Sequence, residues 1–107
     1  MLRRLRRANV KREAERDPEG KCGLLYHATE LGGEAGEALN LIKKMERTRL
    51  GITGTNATLA QLADEFADVV IAADLLAMAA GIDLESAVRD KFNRDTDKLG
   101  LQTKVGS

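Results

Sequence analysis

The chain has 107 residues, of which 43% are hydrophobic and 32% are charged, and its formal net charge at pH 7 is zero. This length gives room for one domain, and no apolar stretch is long and charge-free enough to span a bilayer, so we expect a globular, cytoplasmic protein with no membrane partner. The single cysteine excludes an intrachain disulfide and a cysteine-based zinc site, while the scarcity of aromatic residues argues against binding of single-stranded nucleic acid, which relies on base stacking.

The first 16 residues form a basic segment with seven arginine or lysine side chains and only two glutamates. We expect a helix over residues 2–16 that ends at the turn signal Asp17-Pro18-Glu19-Gly20. Residues 1–20 are interpreted as a basic N-terminal arm or helix that precedes a helical domain over residues 21–107. Such an arm is most often a solvated helix or a disordered leader, but it can bind nucleic acid, an acidic membrane or an acidic partner subunit. No apolar run follows the arginines, so the segment is not a signal peptide.

Two long helices are predicted in the middle of the chain. Between residues 24 and 47, apolar or small side chains recur in steps of three and four, at positions 24, 28, 31, 35, 38, 42 and 45. Residues 48–57 contain two glycines and Asn56 and are expected to form a loop. Thr58 and Gln61 have the spacing of a capping box, which predicts a second long helix with a stripe at positions 62, 66, 69, 73, 76 and 80.

A shorter helix and a polar tail complete the pattern. Gly81 is placed to end the second long helix and Asp83 to begin the next, which we expect to end near Phe92. The tail over residues 93–107 is polar and is expected to be extended. No segment alternates apolar and polar residues with a period of two, so the predicted fold class is all-α.

Four carboxylates occupy equivalent positions on the two long helices. Glu34 and Glu37 are three residues apart on the first, and Glu65 and Asp68 are three apart on the second. Each of the four directly precedes a stripe residue, so antiparallel packing of the helices would bring them together along one edge. Such a cluster is repulsive by itself, but a hard divalent cation such as Mg²⁺ prefers carboxylate ligands. The competing interpretation is that these acids only solvate exposed helix faces.

Three glycines lie within the first predicted long helix, close to its acidic pair. Gly32, Gly33 and Gly36 each cost roughly 1 kcal/mol relative to alanine inside a helix. This loss of helix stability suggests that the backbone here approaches a neighbouring helix or a ligand closely. The alternative is a helix break at the double glycine, which would place Glu34 and Glu37 in a new first turn, where carboxylates are also favoured.

Three segments, in order, resemble the MazG-like branch of the all-α NTP pyrophosphohydrolases. The first is ELGGEAGEALN at positions 30–40, which contains the ExxE motif of that superfamily. The second is LADEFADVV at positions 62–70, which contains its ExxD motif. The third is GIDLESAV at positions 81–88, followed by KFN at positions 91–93. The resemblance covers roughly residues 8–105 and designates residues 21–107 as a MazG-like helical domain.

The resemblance implies a helical bundle of the all-α NTP pyrophosphatase type, with a core completed by homodimer or tetramer packing. It also implies hydrolysis of an NTP or dNTP to the monophosphate and pyrophosphate, with Mg²⁺ as cofactor and Mn²⁺ as a substitute. Carried over by motif, the metal ligands and catalytic residues are Glu34, Glu37, Glu65 and Asp68. The residues that match nucleotide-contacting positions are Lys91, Asn93 and Lys98.

Some residues depart from the family pattern or carry weaker expectations. Relatives often have an aromatic residue near Arg16, and Arg and Asn near His27 and Thr29. If these positions line the base pocket, we expect either a substrate that differs from those of the relatives or weak activity. His27 is the sole histidine, which excludes a di-iron carboxylate bundle, since that site would need Glu-x-x-His pairs on two helices. His27 is expected to be a packing or pocket-edge residue rather than a catalytic base. Glu30, one turn before Glu34, is a weaker ligand candidate. Asp74 lies in the most apolar helix and is expected to be paired in the interior.

Two alternative functions remain open at this stage. The first is a related phosphoribosyl-ATP or dUTP pyrophosphatase, which would use the same acids with a different base pocket. The second is a catalytically inactive helical module that binds nucleic acid or a partner through its arginine-rich arm, although the sequence makes nucleic acid the less favoured partner.

Overall fold

The computed structural model describes residues 1–52, 54 and 57–106. Every regular element in this part of the chain is a helix, which confirms the all-α prediction. The predicted loop is seen only in part, because Asn56 lies outside the described residues. The four helices are α1 (Leu2–Arg16), α2 (Leu24–Arg49), α3 (Leu59–Ala79) and α4 (Leu84–Lys98).

The ends of α3 form as the sequence predicts. The Thr58 hydroxyl accepts a hydrogen bond from the backbone N–H of Gln61, and the Gln61 side chain accepts one from the N–H of Thr58. At the other end, Gly81 takes a positive φ of 71°, and Ile82 donates from its backbone N–H to the carbonyl of Ala77. This is a Schellman motif, which satisfies carbonyl groups that the helix end would otherwise leave unpaired.

Helix α2 continues unbroken through its glycines, so the alternative of a helix break at Gly32-Gly33 is wrong. A Cβ atom built on Gly32, Gly33 or Gly36 would have no described heavy atom within 4 Å. The close approach that these glycines predict is therefore not made by another described part of the same chain, and all three positions are exposed.

Helix α4 is longer than predicted, and the expectation that it ends near Phe92 is wrong. It continues to Lys98 and closes in a second Schellman motif at Gly100, where Leu101 donates to the carbonyl of Thr96. The tail then folds back along the helix. The Asn93 amide exchanges two hydrogen bonds with the backbone of Val105. Residues 93–98 are polar but helical because these tail contacts and the Lys91–Asp95 ion pair hold the last turns.

Helix α1 packs on α3 and α4 through its arginines. Arg6 donates from Nε to both carboxylate oxygens of Asp74, at 3.1 and 3.2 Å, and from Nη2 to the carbonyl of Ile82. Asp74 is 0% exposed, and Asn9 donates a further hydrogen bond to it at 2.9 Å. The predicted interior pairing of Asp74 is confirmed, and the basic segment forms a helix that is tied to the rest of the chain.

Helices α2 and α3 form the main packing of the chain, and they do so through small side chains. The buried apolar residues of the described chain are three alanines, Ala38 on α2 and Ala72 and Ala77 on α3. Glu37 lies beside Glu65, whereas Glu30 shares a cavity with Leu75, so the two helices run antiparallel. Many larger apolar residues of the predicted stripes, Phe66 among them, stay exposed.

We predict that Arg6→Met lowers the free energy of unfolding by about 3 kcal/mol, because it leaves a buried carboxylate without its counter-charge. Adding Asp74→Asn should restore part of the loss, since it removes the charge that Arg6 neutralises. Urea denaturation followed by circular dichroism measures both effects. Arg4→Met, at an exposed position on the same helix, is the control. A loss in Arg6→Met no larger than in this control would contradict the structural role of the pair.

Candidate active site

Antiparallel packing brings the two acidic motifs together. Ligand oxygens of Glu34, Glu37 and Glu65 all lie within 4.8 Å of one another. Asp68 is outside this closest group, but its charge acts on both Glu34 and Glu65, and it lines a cavity together with Glu34. The sequence thus identified four residues that the structure places at one location, with three of them in the tighter cluster.

Two of the clustered carboxylates have an oxygen that is buried and unpaired. Oε2 of Glu34 and Oε2 of Glu65 have no hydrogen-bond partner, although neither atom is reached by solvent. Burial raises the pKa of Glu34, and the charges of Glu37, Asp68 and Glu65 raise it further. Burial likewise raises the pKa of Glu65, with Glu37 and Asp68 as the main like charges. A buried polar atom without a partner is unfavourable, and here two of them face the same cluster.

A cavity of about 260 Å³ opens beside the cluster. Glu34 and Asp68 form its acidic wall together with Glu30, which sequence analysis had ranked as a weaker candidate. Helix α1 supplies a basic wall through Arg12 and Arg16. Apolar side chains of α3 complete the lining, namely Ile71, Ala72 and Leu75.

A chain of polar contacts connects the basic and acidic walls. Arg16 forms an ion pair with Glu13, and its Nη1 donates to the Tyr26 hydroxyl at 3.2 Å while the guanidinium stacks over the ring at 5.3 Å. Glu30 lies near the Tyr26 hydroxyl, and this neighbouring carboxylate raises the pKa of Tyr26. Sequence analysis noted Arg16 only as a departure from the family, and it missed Arg12. The spacing of four between the two arginines, which puts them on one helix face, was the available signal.

The residues expected to contact the nucleotide do not line this cavity. Lys91 pairs with Asp95, and Asn93 is bound to the tail at Val105. Lys98 lies with Lys91 around a separate surface cavity on α4. Helix α4 packs against α1 and α3, and it makes no contact with α2 in the described residues. One copy of the chain therefore does not bring these three residues to the acidic cluster.

A second group of potential ligands lies at the α1–α2 turn, where Glu13, Asp17 and Cys22 have ligand atoms within 4.8 Å of one another. Its acids already have partners. Asp17 accepts hydrogen bonds from the backbone N–H groups of Lys21 and Cys22, which lower its pKa. Burial and the Asp17 charge raise the pKa of the Cys22 thiol. This group is accounted for by the structure of the turn, with the buried His27 packed beside it against Glu13.

The acidic cluster fits a hard divalent cation. All of its ligand atoms are carboxylate oxygens, two are buried without partners, and three side chains approach each other closely enough to share one ion. Oxygen-only ligand sets favour Mg²⁺ or Mn²⁺ over zinc or copper, which prefer nitrogen and sulfur. A bound cation would also relieve the mutual repulsion that raises the pKa of Glu34 and Glu65.

Comparison with known proteins adds no assignment, because the chain matches no family model, no curated protein and no solved structure. None of the helices in the described part of the chain combines the length and the apolarity that a membrane crossing requires. The likeness to the MazG-like family therefore stays a prediction from the sequence motifs.

We predict that Glu34→Gln raises the melting temperature of the metal-free protein at pH 8 and abolishes its response to Mg²⁺. The native pKa of Glu34 is raised above the ordinary 4.5, so the contribution of Glu34 to stability is fully present below pH 4.5 and is lost as the pH rises through the native pKa. The melting temperature of the variant should exceed that of the wild type at pH values above 4.5, and the difference should vanish below pH 4.5. Wild-type protein should gain about 1.4 kcal/mol at tenfold the metal Kd, or several degrees.

Differential scanning calorimetry between pH 4 and pH 8, with and without MgCl₂, measures these shifts. Glu15→Gln, an exposed glutamate on α1, is the control and should behave like the wild type under all conditions. A wild-type melting temperature that Mg²⁺ and Mn²⁺ leave unchanged would exclude a metal centre in this cluster.

Proposed function

We propose that this protein is a magnesium-dependent nucleoside triphosphate pyrophosphohydrolase that cleaves an NTP or dNTP into the monophosphate and pyrophosphate. The observation that supports it best is the convergence of Glu34, Glu37 and Glu65, with two buried and unpaired oxygens, from the two motifs that resemble the family. Asp68 and the adjoining cavity extend the same site. A cluster that is repulsive on its own is understandable if it binds a cation and its phosphate ligand.

The proposed roles follow from position. Glu34, Glu37, Glu65 and Asp68 hold the metal, which when bound supplies charge neutralisation at the phosphates and an acidified water. One carboxylate of the group orients the attacking water by accepting a hydrogen bond from it. The apolar floor at Ile71 and Leu75 excludes bulk water from one side of the cavity. Low local polarity strengthens each charge–charge interaction between the site and the phosphates.

We predict that Glu34→Gln and Glu65→Gln each lower kcat by at least about 100-fold, the cost typical of losing one preorganised electrostatic contact in an active site. The substrate panel comprises all NTPs and dNTPs, dUTP and phosphoribosyl-ATP included, with Mg²⁺ or Mn²⁺. Monophosphate and pyrophosphate are quantified separately by ion-exchange chromatography. Glu15→Gln should keep the wild-type rate. Release of orthophosphate instead of pyrophosphate, or wild-type turnover in both variants, would refute the proposal.

The proposal includes a homodimer or a dimer of dimers. The radius of gyration is 17.2 Å, against about 13 Å for a compact chain of this length. The accessible surface is 7704 Å², whereas a monomer of 11.6 kDa has about 5,800 Å². Large apolar side chains on the long helices contribute to this surface, since Leu39 and Phe66 are 66% and 51% exposed. A second copy that covers these side chains would also pack against the α2 glycines, which have no neighbour among the described residues. In such an assembly, Lys91, Asn93 and Lys98 of one copy would be able to reach the acidic cluster of the other.

We predict a dimer or tetramer for the wild-type protein in size-exclusion chromatography with light scattering at 50 µM, a concentration of about the order used for small domains. The double variant Leu39→Lys/Phe66→Lys should shift the population toward monomer, because it places charges on the apolar faces. Leu101→Lys, at an exposed apolar position in the tail, is the control and should leave the assembly unchanged. A monomeric wild type would contradict this part of the proposal.

A further inference from the structure

Helix α1 places two arginines in the cavity that contains Glu34 and Asp68. Arg12 and Arg16 are four residues apart and therefore lie on one face of the helix. Three of the acids that line the cavity with them, Glu30, Glu34 and Asp68, come from α2 and α3, whereas the fourth, Glu13, lies on α1 between the two arginines. The basic segment, which the sequence presents as an independent arm, thus contributes to the same space as the metal-binding acids.

The two arginines differ in whether they form ion pairs or hydrogen bonds within the chain. Arg16 is committed to Glu13 and to the Tyr26 hydroxyl and ring. Arg12 forms no ion pair or side-chain hydrogen bond within the described residues, and its side chain is exposed. The acids that line the cavity with Arg12 are Glu13, Glu30, Glu34 and Asp68. Glu13 is paired with Arg16, and Glu34 and Asp68 belong to the acidic cluster. Arg12 is consequently the free cation of this cavity.

A free guanidinium opposite a cluster of carboxylates fits a ligand that is anionic at one end and carries a cation at the other. A magnesium–polyphosphate complex has this charge distribution, because the metal covers some phosphate oxygens and leaves others bare. Guanidinium groups bind such bare oxygens through two parallel hydrogen bonds. We propose that Arg12 binds the phosphate chain of a metal-bound polyphosphate ligand, so that α1 forms the anion-binding half of the site.

This inference rests on the proposed function for the identity of the ligand as a nucleoside triphosphate, but the contact itself concerns only the phosphate chain. It assigns to Arg12 the role that the family resemblance gives to Lys91 and Lys98, which are remote from the acids in one chain. Arg16, held by Glu13 and Tyr26, forms the rigid wall beside it. The anchoring of α1 through Arg6 and Asp74 then fixes where Arg12 stands.

The test measures binding of inorganic tripolyphosphate by isothermal titration calorimetry, with and without Mg²⁺. Arg12→Gln should weaken the magnesium-dependent Kd by about 10- to 100-fold, the value of one charge-assisted hydrogen-bonded pair. Arg12→Lys should fall between, since it keeps the charge but not the forked geometry. Arg7→Gln, an exposed arginine on α1 that does not line the cavity, should bind like the wild type. Mg²⁺ affinity is titrated separately in every variant.

The outcomes separate this inference from the proposed function. If Arg12→Gln binds tripolyphosphate like the wild type, the inference is overturned while the hydrolase proposal stands. The same holds if the only effect of Arg12→Gln is tighter binding of Mg²⁺, because the loss of a positive charge leaves the acids more negative. If the wild type hydrolyses no nucleotide but binds tripolyphosphate in an Arg12-dependent manner, the hydrolase proposal fails and the anion site stands. If the wild type binds no tripolyphosphate with Mg²⁺, the inference is overturned, and the hydrolase proposal is decided by nucleotide turnover alone. Where nucleotide turnover is present, Arg12→Gln should raise KM more than it lowers kcat.

Discussion

The mutual repulsion of carboxylates held together by helix packing is the constraint around which this molecule is organised. Glu34 and Glu37 on α2 face Glu65 on α3 at distances that like charges avoid in water. Their approach is imposed by the antiparallel pairing of two long helices, and that pairing is stabilised elsewhere along their length. The unfavourable charge repulsion is therefore confined to one site, and favourable packing elsewhere in the fold offsets it. Such local instability is common at functional sites.

The uneven charge of the sequence is resolved within the chain. The basic first segment and the acidic remainder are attracted to each other, and the described structure shows the pairs: Arg6 with Asp74, Arg3 with Asp83 and Glu85. The exposed pairs of Arg3 contribute little, whereas the pair at buried Asp74 fixes the position of α1. Three of the seven basic side chains of this segment, Arg3, Arg6 and Arg16, form ion pairs with acids of the same chain, so a segment that resembles a nucleic-acid-binding arm by composition is partly engaged within it.

The sequence was most informative where local chemistry decides the structure. The capping box at Thr58 and the glycine at position 81 set the limits of α3, and the spacing of the acidic motifs predicted their meeting, because both depend on near neighbours or on helical periodicity. It failed for the last turns of α4, whose polar residues are helical and are held by the Lys91–Asp95 ion pair and by the return of the tail at Val105 to Asn93. Arg12 was missed for a similar reason, since its place opposite Glu34 depends on how α1 is anchored.

The alanines between α2 and α3 have a consequence for how finely the site can be adjusted. Ala72 is buried at the helix contact and also lines the acidic cavity, and Ala38 is buried one residue after Glu37. A single methyl group at each contact acts as the spacer between the two backbones, so the gap between opposing acids is set by the smallest chiral side chain available. Any bulkier residue there would push the two helices apart. If the cluster binds a metal ion as proposed, its selectivity for ionic radius would depend on residues that do not contact the ion.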